Sequence, residues 1–352
     1  MVDPRKNKKR RQDEEQELNL IWLIIVFIFI ITLPFYSDSY VMHIANMTGM
    51  GIIIAHGLNI LMGYTGQVSL GHVAFVAVGA YTSAILTFKT GMSFWLALPI
   101  SGVTASLVGL IVAVPSLRLK EVYLAIATLG YALIVNEVII HWKSLTNGTM
   151  GMVAPPVHFF GIALNTGHKY YYLVYALVII FTYFAYNLSQ SKLGRALMAV
   201  RDSEEAAQSL SISLVKYKII AFTISAYFAG VAGSLYAHFI MVISPENFTV
   251  MLSIEYLVML IVGGMGYLWG AVLGAIFVTM LPEVIRLSVR YLPEWLDIID
   301  LQLFLYGLII MIFLIFEPDG LYARWLKIKR YVKTFPLSPR KQKGERVWRR
   351  WR

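Results

Sequence analysis

The chain of 352 residues contains no cysteine. This absence excludes disulfide bonds, thiolate metal sites and a cysteine nucleophile. Charged residues are also scarce, because they make up 14% of the chain, whereas soluble domains carry about 25%. Apolar residues reach 58%, and the mean hydropathy is +0.66. This composition predicts a polytopic membrane protein without a separate soluble domain.

Two kinds of chemical site are missing from the sequence as well. Residues 66–73 have the glycine spacing of a phosphate-binding loop, but His72 and Val73 stand where such a loop needs Lys and Ser or Thr. The seven histidines are scattered singly, and no carboxylate is spaced to complete a metal site with them. We therefore expect no ATPase site, no metal, no other cofactor and no enzymatic activity in this chain.

Apolar runs of about 20 residues, the length that crosses a bilayer, recur along the whole chain. No small-residue cleavage site follows the first run, so we expect an uncleaved span rather than a signal peptide. The pattern predicts an all-α protein with about ten transmembrane helices. They lie near 19–35, 41–62, 68–88, 93–115, 121–141, 170–188, 217–241, 250–264, 267–282 and 301–316.

Lys and Arg are concentrated in connections on one predicted side of the membrane, as is typical of cytoplasmic segments. They occur before the first span, at Arg118 and Lys120, in the loop 189–216 and after the last span, where residues 321–352 hold twelve against the single acid Glu345. We expect a basic N-terminus over 1–18, a membrane domain over 19–320 and a basic tail over 321–352. Both termini would be cytoplasmic, with the tail against anionic lipids, and nothing indicates nucleic-acid binding.

Glycine is concentrated in two stretches, GYTGQVSLGHVAFVAVGAYTSA from Gly63 and GGMGYLWGAVLGA from Gly263. In the second stretch Gly266, Gly270 and Gly274 recur every four residues, which places them on one helix face for close helix packing. Glycine-interrupted segments in two halves of a chain also suggest an internal repeat with broken helices near the middle of the bundle. The pattern fits tight packing alone, or packing together with a role in a pathway.

Two carboxylates, Glu137 and Glu255, lie within predicted spans. A charge at membrane depth is costly, so each is either a pathway residue or a residue near the end of its helix.

The loop 189–216 contains the Ala-rich, charged stretch SKLGRALMAVRDSEEAAQSLSIS. We expect a short helix with Asp202 as its N-cap, with Glu204 and Glu205 in the first turn and Glu205 completing a capping box. A compact apolar face would be formed by Ala206, Ala207 and Leu210. Because so short a helix is marginal alone in water, we expect it to dock in a groove of another protein. The alternative is a helix that rests on the membrane surface.

Several stretches together resemble the branched-chain amino acid permease family of bacterial ABC importers, in particular its LivM-type subunits. The resemblance covers nearly the whole chain. It is carried by the two glycine-rich stretches, by LRLKEVYLAIATLGYA with LTNGTMGM after it, by GRALMAVRDSEEAAQSLSISLVKYKIIAFTISAYFAGVAGSLYA and by EPDGL at 317–321.

The resemblance implies a permease subunit in a bacterial or archaeal cytoplasmic membrane that imports branched-chain or similar small amino acids. Its partners would be a second homologous permease, two cytoplasmic ATPases and an extracytoplasmic solute-binding protein. ATPase coupling would fall to Arg195, Asp202, Glu204, Glu205, Ala206, Ala207 and Ser211. A zwitterion handed over by a binding protein needs no strongly charged ligand, so Gln67, Ser69 and Asn136 could line the pathway.

The chain departs from the family pattern at several positions. The family usually has glycine where this chain has Ser211, and often where it has Glu121 and Asn147. Ser211 argues against a helix that ends with a residue in the left-handed conformation, because residues other than glycine adopt that conformation less readily. Tyr267 and Ala271 stand where the family has a small hydroxyl residue or proline.

The changes at Asn147 and Tyr267 leave the substrate open. A urea or short-chain amide importer is therefore an alternative. A secondary transporter driven by an ion gradient is a further alternative from a different class, and it would need intramembrane ion sites such as Glu137 and Glu255.

Overall fold

The computed structural model describes residues 30–334 except 118, 120, 160–161, 165, 290–297 and 318. Helices dominate this part of the chain. In chain order they are α1 (Ser39–Leu58), α2 (His72–Lys89), α3 (Phe94–Ser116), α4 (Glu121–His141), α5 (Lys143–Thr146), α6 (Gly167–Gln190), α7 (Lys192–Asp202), α8 (Glu204–Ser209), α9 (Leu214–Ile240), α10 (Val250–Gly263), α11 (Leu268–Val289), α12 (Ile298–Phe316) and α13 (Gly320–Thr334).

Within the described residues, eight helices are long and apolar enough to cross a membrane. They correspond to the second to ninth predicted spans, so the all-α polytopic fold is confirmed. The count of ten is not confirmed. The first predicted span lies mostly outside the described residues, of which 30–36 are helical. The tenth falls in α12, whose apolar stretch Phe304–Phe313 is shorter than the eight spanning helices. The basic residues at 5–11, Arg118, Lys120 and the tail beyond 334 also lie outside the described residues. The internal repeat and the cytoplasmic location of both termini stay predictions.

Helix α9 lies at the centre of the bundle, where it packs against α1, α2 and α3. Glycines permit this close approach, since a Cβ on Gly79 would overlap the main chain of Gly230, and one on Gly233 would overlap that of Val76. Lipid provides no hydrophobic drive for helix pairing. Helices in a membrane instead associate through close van der Waals packing, which small residues allow because the backbones can approach each other. Large apolar side chains of α3 and α4, such as Ile111, are exposed on the outside of the bundle.

Four short strands close the bundle at the end where α9 finishes. Strand β1 (Met152–Val153) pairs antiparallel with β4 (Val242–Ile243), and β2 (His158–Phe159) pairs with β3 (Ile162–Ala163). Ahead of β1, Asn147 is left-handed at φ 63°. Asparagine is the side chain that, after glycine, most readily takes this conformation, which explains how it replaces the family's glycine.

Two glycine-rich breaks interrupt the helices. After α1 the chain makes a π-helical turn over Asn59–Gly63, and residues 66–71 are not helical before α2 begins. A second break over 264–267 separates α10 from α11. Gly266 lies in this break at φ 83°, ahead of α11. The prediction that it shares a helix face with Gly270 and Gly274 was therefore wrong, because its positive φ ends the helical path.

Candidate coupling and pathway sites

The loop 189–216 folds into two helices, α7 and α8, rather than one. Each begins with a serine N-cap. Ser191 Oγ accepts a hydrogen bond from Gly194 N at 3.0 Å, and Ser203 Oγ accepts one from Ala206 N at 3.2 Å. These bonds satisfy main-chain donors that a helix start would otherwise leave unpaired.

The predicted N-cap at Asp202 was wrong by one residue. Asp202 is the last residue of α7, whereas Ser203 has the extended backbone of an N-cap, with φ −163° and ψ 116°. A residue that continues one helix cannot also take the extended conformation that starts the next. The expected capping box between Asp202 and Glu205 is therefore not formed, although Glu204 and Glu205 do lie in the first turn of α8.

The predicted apolar face of α8 was also wrong in part. Ala207 is only 1% exposed and packs inside the chain, whereas Ala206 is exposed and Leu210 is 72% exposed. One face of a six-residue helix is enough to bury a single alanine against the bundle. The apolar surface that faces outwards is therefore formed by Ala206 of α8 and by Leu210, which follows the last residue of α8.

Helix α8 ends in a left-handed residue despite the missing glycine. Ser211 has φ 62°. Its N–H donates to Gln208 O at 2.9 Å, and Ile212 N donates to Ala207 O at 3.0 Å. This pair of bonds is the Schellman arrangement, which satisfies the last carbonyls of a helix. The expectation that a serine argues against a left-handed stop was wrong, because these two bonds hold the conformation.

An ion pair fixes α8 to the start of α9. Lys218 Nζ lies 2.7 Å from Glu204 Oε1, and the Lys218 side chain is 8% exposed. A buried ammonium without a carboxylate would be strongly unfavourable, so Glu204 has a structural partner in its own chain. Arg195 is different, since it is exposed and donates to Gln190 O at 2.8 Å on the same surface.

Arg201 of α7 contacts the first break directly. Its Nη1 donates a hydrogen bond to Gly63 O. A Cβ on Gly66, which has φ 73°, would lie 3.2 Å from Arg201 Cγ. The side chain therefore satisfies a carbonyl that the end of the π-helical turn leaves open and packs against the loop that follows.

Asn59 joins the two breaks. Its Nδ2 donates to Tyr267 O at 3.2 Å, and its Oδ1 accepts from Gly266 N at 2.8 Å. Asn59 is almost fully buried, where a paired amide is strongly held. Both main-chain groups that it pairs belong to the break between α10 and α11.

The EPDGL motif at 317–321 also contacts the break between α10 and α11. A Cβ on Gly320 would lie 2.5 Å from Gly264 Cα, and the rings of Tyr267 and Tyr322 are 5.2 Å apart. Four separate stretches of sequence thus meet at one end of the bundle. We call this meeting point the junction, and it comprises residues 59–66, Arg201, residues 264–267 and residues 319–322.

Close packing of α10 on α11 continues from the junction into the bundle. A Cβ on Gly270 would lie 2.5 Å from Gly264 O, and one on Gly274 would overlap Met259 O. These are main-chain atoms, so a side chain at either position would push the two helices apart.

The polar candidates for a pathway follow the junction in sequence. Gln67 and Ser69 are buried in the non-helical stretch before α2, and His72 is buried at the start of α2. Within the described part of the chain, no hydrogen-bond partner meets the amide of Gln67, the hydroxyl of Ser69 or either ring nitrogen of His72. Asn136 Oδ1 in α4 is likewise unpaired there.

The two carboxylates lie in different surroundings. Glu137 is exposed near the end of α4, with Oε2 3.2 Å from His141 Nδ1, whereas Glu255 is partly buried in α10. Across the residues that the structure describes, no group of three His, Asp or Glu side chains could hold a metal ion.

A bundle of eight helices long enough to span a membrane, with two breaks contacted by a capped surface loop, places the described chain in the class of multi-pass membrane proteins. Residues 40–314 match the family model described as branched-chain amino acid transport system / permease component. The chain belongs to this family, as the resemblance of its motifs predicts. It is therefore one component of a transport system that has other subunits.

Curated relatives agree with this assignment. The chain is 33% identical over 325 residues to the high-affinity branched-chain amino acid transport system permease protein LivM of Escherichia coli (strain K12), covering 86% of this chain and 74% of that protein. It is 24% identical over 316 residues to a probable LivM of Methanocaldococcus jannaschii, covering 78% and 90%. It is 26% identical over 341 residues to the autoinducer 2 import system permease protein LsrC of Escherichia coli O9:H4, covering 90% and 92%. No solved structure matches the chain.

Sequence reasoning missed Arg201, Asn59, Lys218 and His72 as site residues. Arg201 and Gly63 are 138 positions apart, and Asn59 and Gly266 are 207 apart. No local spacing could have connected them. The only signal was that the quoted family stretches contain Arg201, Lys218 and His72, whereas Asn59 lies ahead of the first of them.

Proposed function

We propose that this chain is the membrane subunit of an ABC importer that moves branched-chain or similar small amino acids into the cell. Two cytoplasmic ATPases would drive it, a second homologous permease would complete the pathway, and an extracytoplasmic solute-binding protein would deliver the substrate. The names of the LivM relatives support this substrate class. Both termini and the loop 189–216 would face the cytoplasm of a bacterium or archaeon, which the distribution of Lys and Arg supports.

The observation that carries this proposal is the contact of Arg201 with Gly63 O. It joins the surface loop to the first break, and Asn59 joins that break to the second. A displacement of α7 and α8 by an ATPase would therefore be passed to both broken helices. A helix resting on the membrane surface would not need such a connection.

The ATPase-contacting surface would be the exposed side of α7 and α8. It would include the exposed residues Arg195, Asp202, Glu205, Ala206 and Leu210. Glu204, Ala207 and Ser211 would support this surface from within, through the Lys218 ion pair, burial and the left-handed turn respectively. Because Ala207 is buried, enlarging it would disturb the permease itself, so a docking test should use Leu210.

The test replaces Leu210 with Asp in the complete transporter. We expect normal yield and thermal stability of the permease, loss of co-purification with the ATPases and loss of leucine uptake, because a charge replaces an exposed apolar contact. Met150→Asp is the matched control, since Met150 is 91% exposed and lies ahead of β1. Retained ATPase binding and uptake in Leu210→Asp would contradict the docking surface.

Substrate and energy source can be tested with the same preparation. Labelled leucine, isoleucine or valine should enter proteoliposomes only when ATP is hydrolysed. Uptake of urea or a short amide in their place would contradict the substrate class. Uptake that persists with inactive ATPases would instead indicate a secondary transporter.

Gln67, Ser69 and Asn136 would line the pathway, which is supported by their buried and unpaired polar atoms. Glu255 is partly buried in α10 and is a weaker candidate for the pathway. The exposed pair of Glu137 with His141 favours a helix-end position for Glu137.

A further inference from the structure

The start of α2, which we define as residues 67–73, combines paired main-chain groups with unpaired side chains. Leu70 N donates to Thr128 Oγ1 at 3.0 Å, and Val73 N donates to Ser253 Oγ at 2.9 Å. In contrast, Gln67 is 4% exposed and Ser69 and His72 are fully buried, all without a partner among the described residues. Most buried polar side chains in proteins are hydrogen-bonded, so three such groups within six residues need an explanation.

The start of α2 lies away from the junction, deeper in the helix bundle. Ser253, which holds Val73 N, is ten residues before the end of α10 at the junction, roughly 15 Å along a helix that rises about 1.5 Å per residue. Thr128, whose main chain touches Gly71, is in the interior of α4. The eight apolar helices are long enough to cross a bilayer. In that arrangement α2 would begin within the hydrocarbon core, where unpaired polar groups are most unfavourable.

The available groups have the chemistry of a carboxylate site. The amide of Gln67, the hydroxyl of Ser69 and a ring N–H of His72 are all donors, and the amino-terminal end of an 18-residue helix carries partial positive charge. The Gln67 carbonyl oxygen can also accept from an ammonium group. The ring centroid of Phe75 lies 5.5 Å from that of His72 and 6.0 Å from that of Tyr131. The rings of Phe75 and Tyr131 therefore offer an apolar surface next to the donors.

We propose that the start of α2 binds the carboxylate of the transported amino acid, with Gln67, Ser69 and His72 as donors and Phe75 with Tyr131 against the apolar side chain. The proposal rests on the transport function proposed above and narrows its substrate to α-amino acids. An uncharged amide or urea would gain little from the positive end of a helix. The protein leaves these donors unpaired because the substrate completes them.

The first test measures leucine uptake per ATP hydrolysed in proteoliposomes with the complete transporter. Gln67→Leu and His72→Leu each remove a donor to a charged group, so uptake per ATP should fall roughly tenfold or more, while His72→Gln, which keeps a donor, should retain more. Ser225→Ala is the matched control, because Ser225 is also fully buried in α9 and its hydroxyl has no partner within the described residues. Its uptake should be unchanged.

The second test uses the absence of cysteine from the chain. Ser69→Cys provides the only thiol of this chain, and its rate of modification by a methanethiosulfonate reagent is measured in the complete transporter. Leucine should slow this rate severalfold, whereas leucinamide, which lacks the carboxylate, should not. Ser225→Cys should show no protection by either compound.

The outcomes separate the two proposals. If the unmodified transporter imports urea or an amide and no amino acid, the proposed function fails and the carboxylate site with it. If it imports leucine while Gln67→Leu and His72→Leu keep their uptake per ATP and Ser69→Cys is not protected, the site is wrong and the function stands. Equal protection by leucine and leucinamide would overturn recognition of the carboxylate.

Discussion

The junction and the start of α2 are adjacent in sequence, but they differ in whether their buried polar side chains are hydrogen-bonded. At the junction, the buried amide of Asn59 and the guanidinium of Arg201 are bonded to main-chain groups of the two breaks. At the start of α2, the side chains of Gln67, Ser69 and His72 are as deeply buried but have no partner in the described part of the chain. One region uses its polar groups to hold the fold, and the other leaves them available.

This difference indicates that residues 59–66 and residues 67–73 have different roles, although both lie at the break between α1 and α2. A buried polar group that is fully paired makes its surroundings rigid, which suits a connection that passes movement from a surface loop. A buried polar group that is left unpaired is unfavourable for stability and needs an explanation, and at the start of α2 three such side chains lie within six residues in the described part of the chain. The comparison can be sharpened by changing each region separately.

The largest effect should come from Gly71→Ala at the start of α2. The new Cβ would overlap the main-chain oxygen of Thr128, which can move only if α4 moves, so we expect a loss of about 3 kcal/mol in stability. Thermal unfolding in detergent measures it. The control is Gly130→Ala in α4, where a Cβ would meet nothing within 4 Å. Equal melting temperatures for the two variants would show that main-chain packing does not hold the start of α2.

Arg201→Gln should have an intermediate effect at the junction. It weakens or removes the bond to Gly63 O, so we expect a loss of about 1–3 kcal/mol and a lower ratio of leucine uptake to ATP hydrolysis. Both quantities can be measured on the same preparation. Arg195→Gln is the control for stability only, because Arg195 belongs to the proposed ATPase-contacting surface. Its bond to Gln190 O is exposed, so it should change stability by less than about 0.5 kcal/mol. A normal uptake ratio in Arg201→Gln would separate the junction from coupling.

The smallest effect should come from Ser211→Gly in the loop that contacts the junction. Glycine relieves the left-handed conformation at φ 62° but loses more entropy on folding, so we expect a stabilisation of at most about 1 kcal/mol. Slower proteolysis within the loop 189–216 would report it. Ser209→Gly, two residues earlier at the last residue of α8, removes the hydrogen bond from Ser209 Oγ to Ala206 O and should have the opposite effect, of up to about 1 kcal/mol. Faster cleavage of Ser211→Gly would contradict the strain argument.

Patterns that depend on neighbouring residues could be interpreted from the sequence. Apolar runs predicted the spanning helices, and clustered glycines predicted the two breaks. The same approach failed where two local signals competed. Asp202 and Ser203 are both good N-caps, and only the point at which α7 ends decided between them. Gly266 continued a four-residue spacing that the break interrupts.

The sequence by itself determined the membrane class, the positions of most spans and the family, because hydropathy and motif content are properties of the chain order. Only the tertiary structure decided that Arg201 meets Gly63, that Asn59 connects both breaks and that Ala207 faces inwards. It also decided that Gln67, Ser69 and His72 are buried without partners among the described residues. These features depend on segments up to 208 residues apart. Which polar group finds a partner is decided when the helices pack, and not by the residues next to it in sequence.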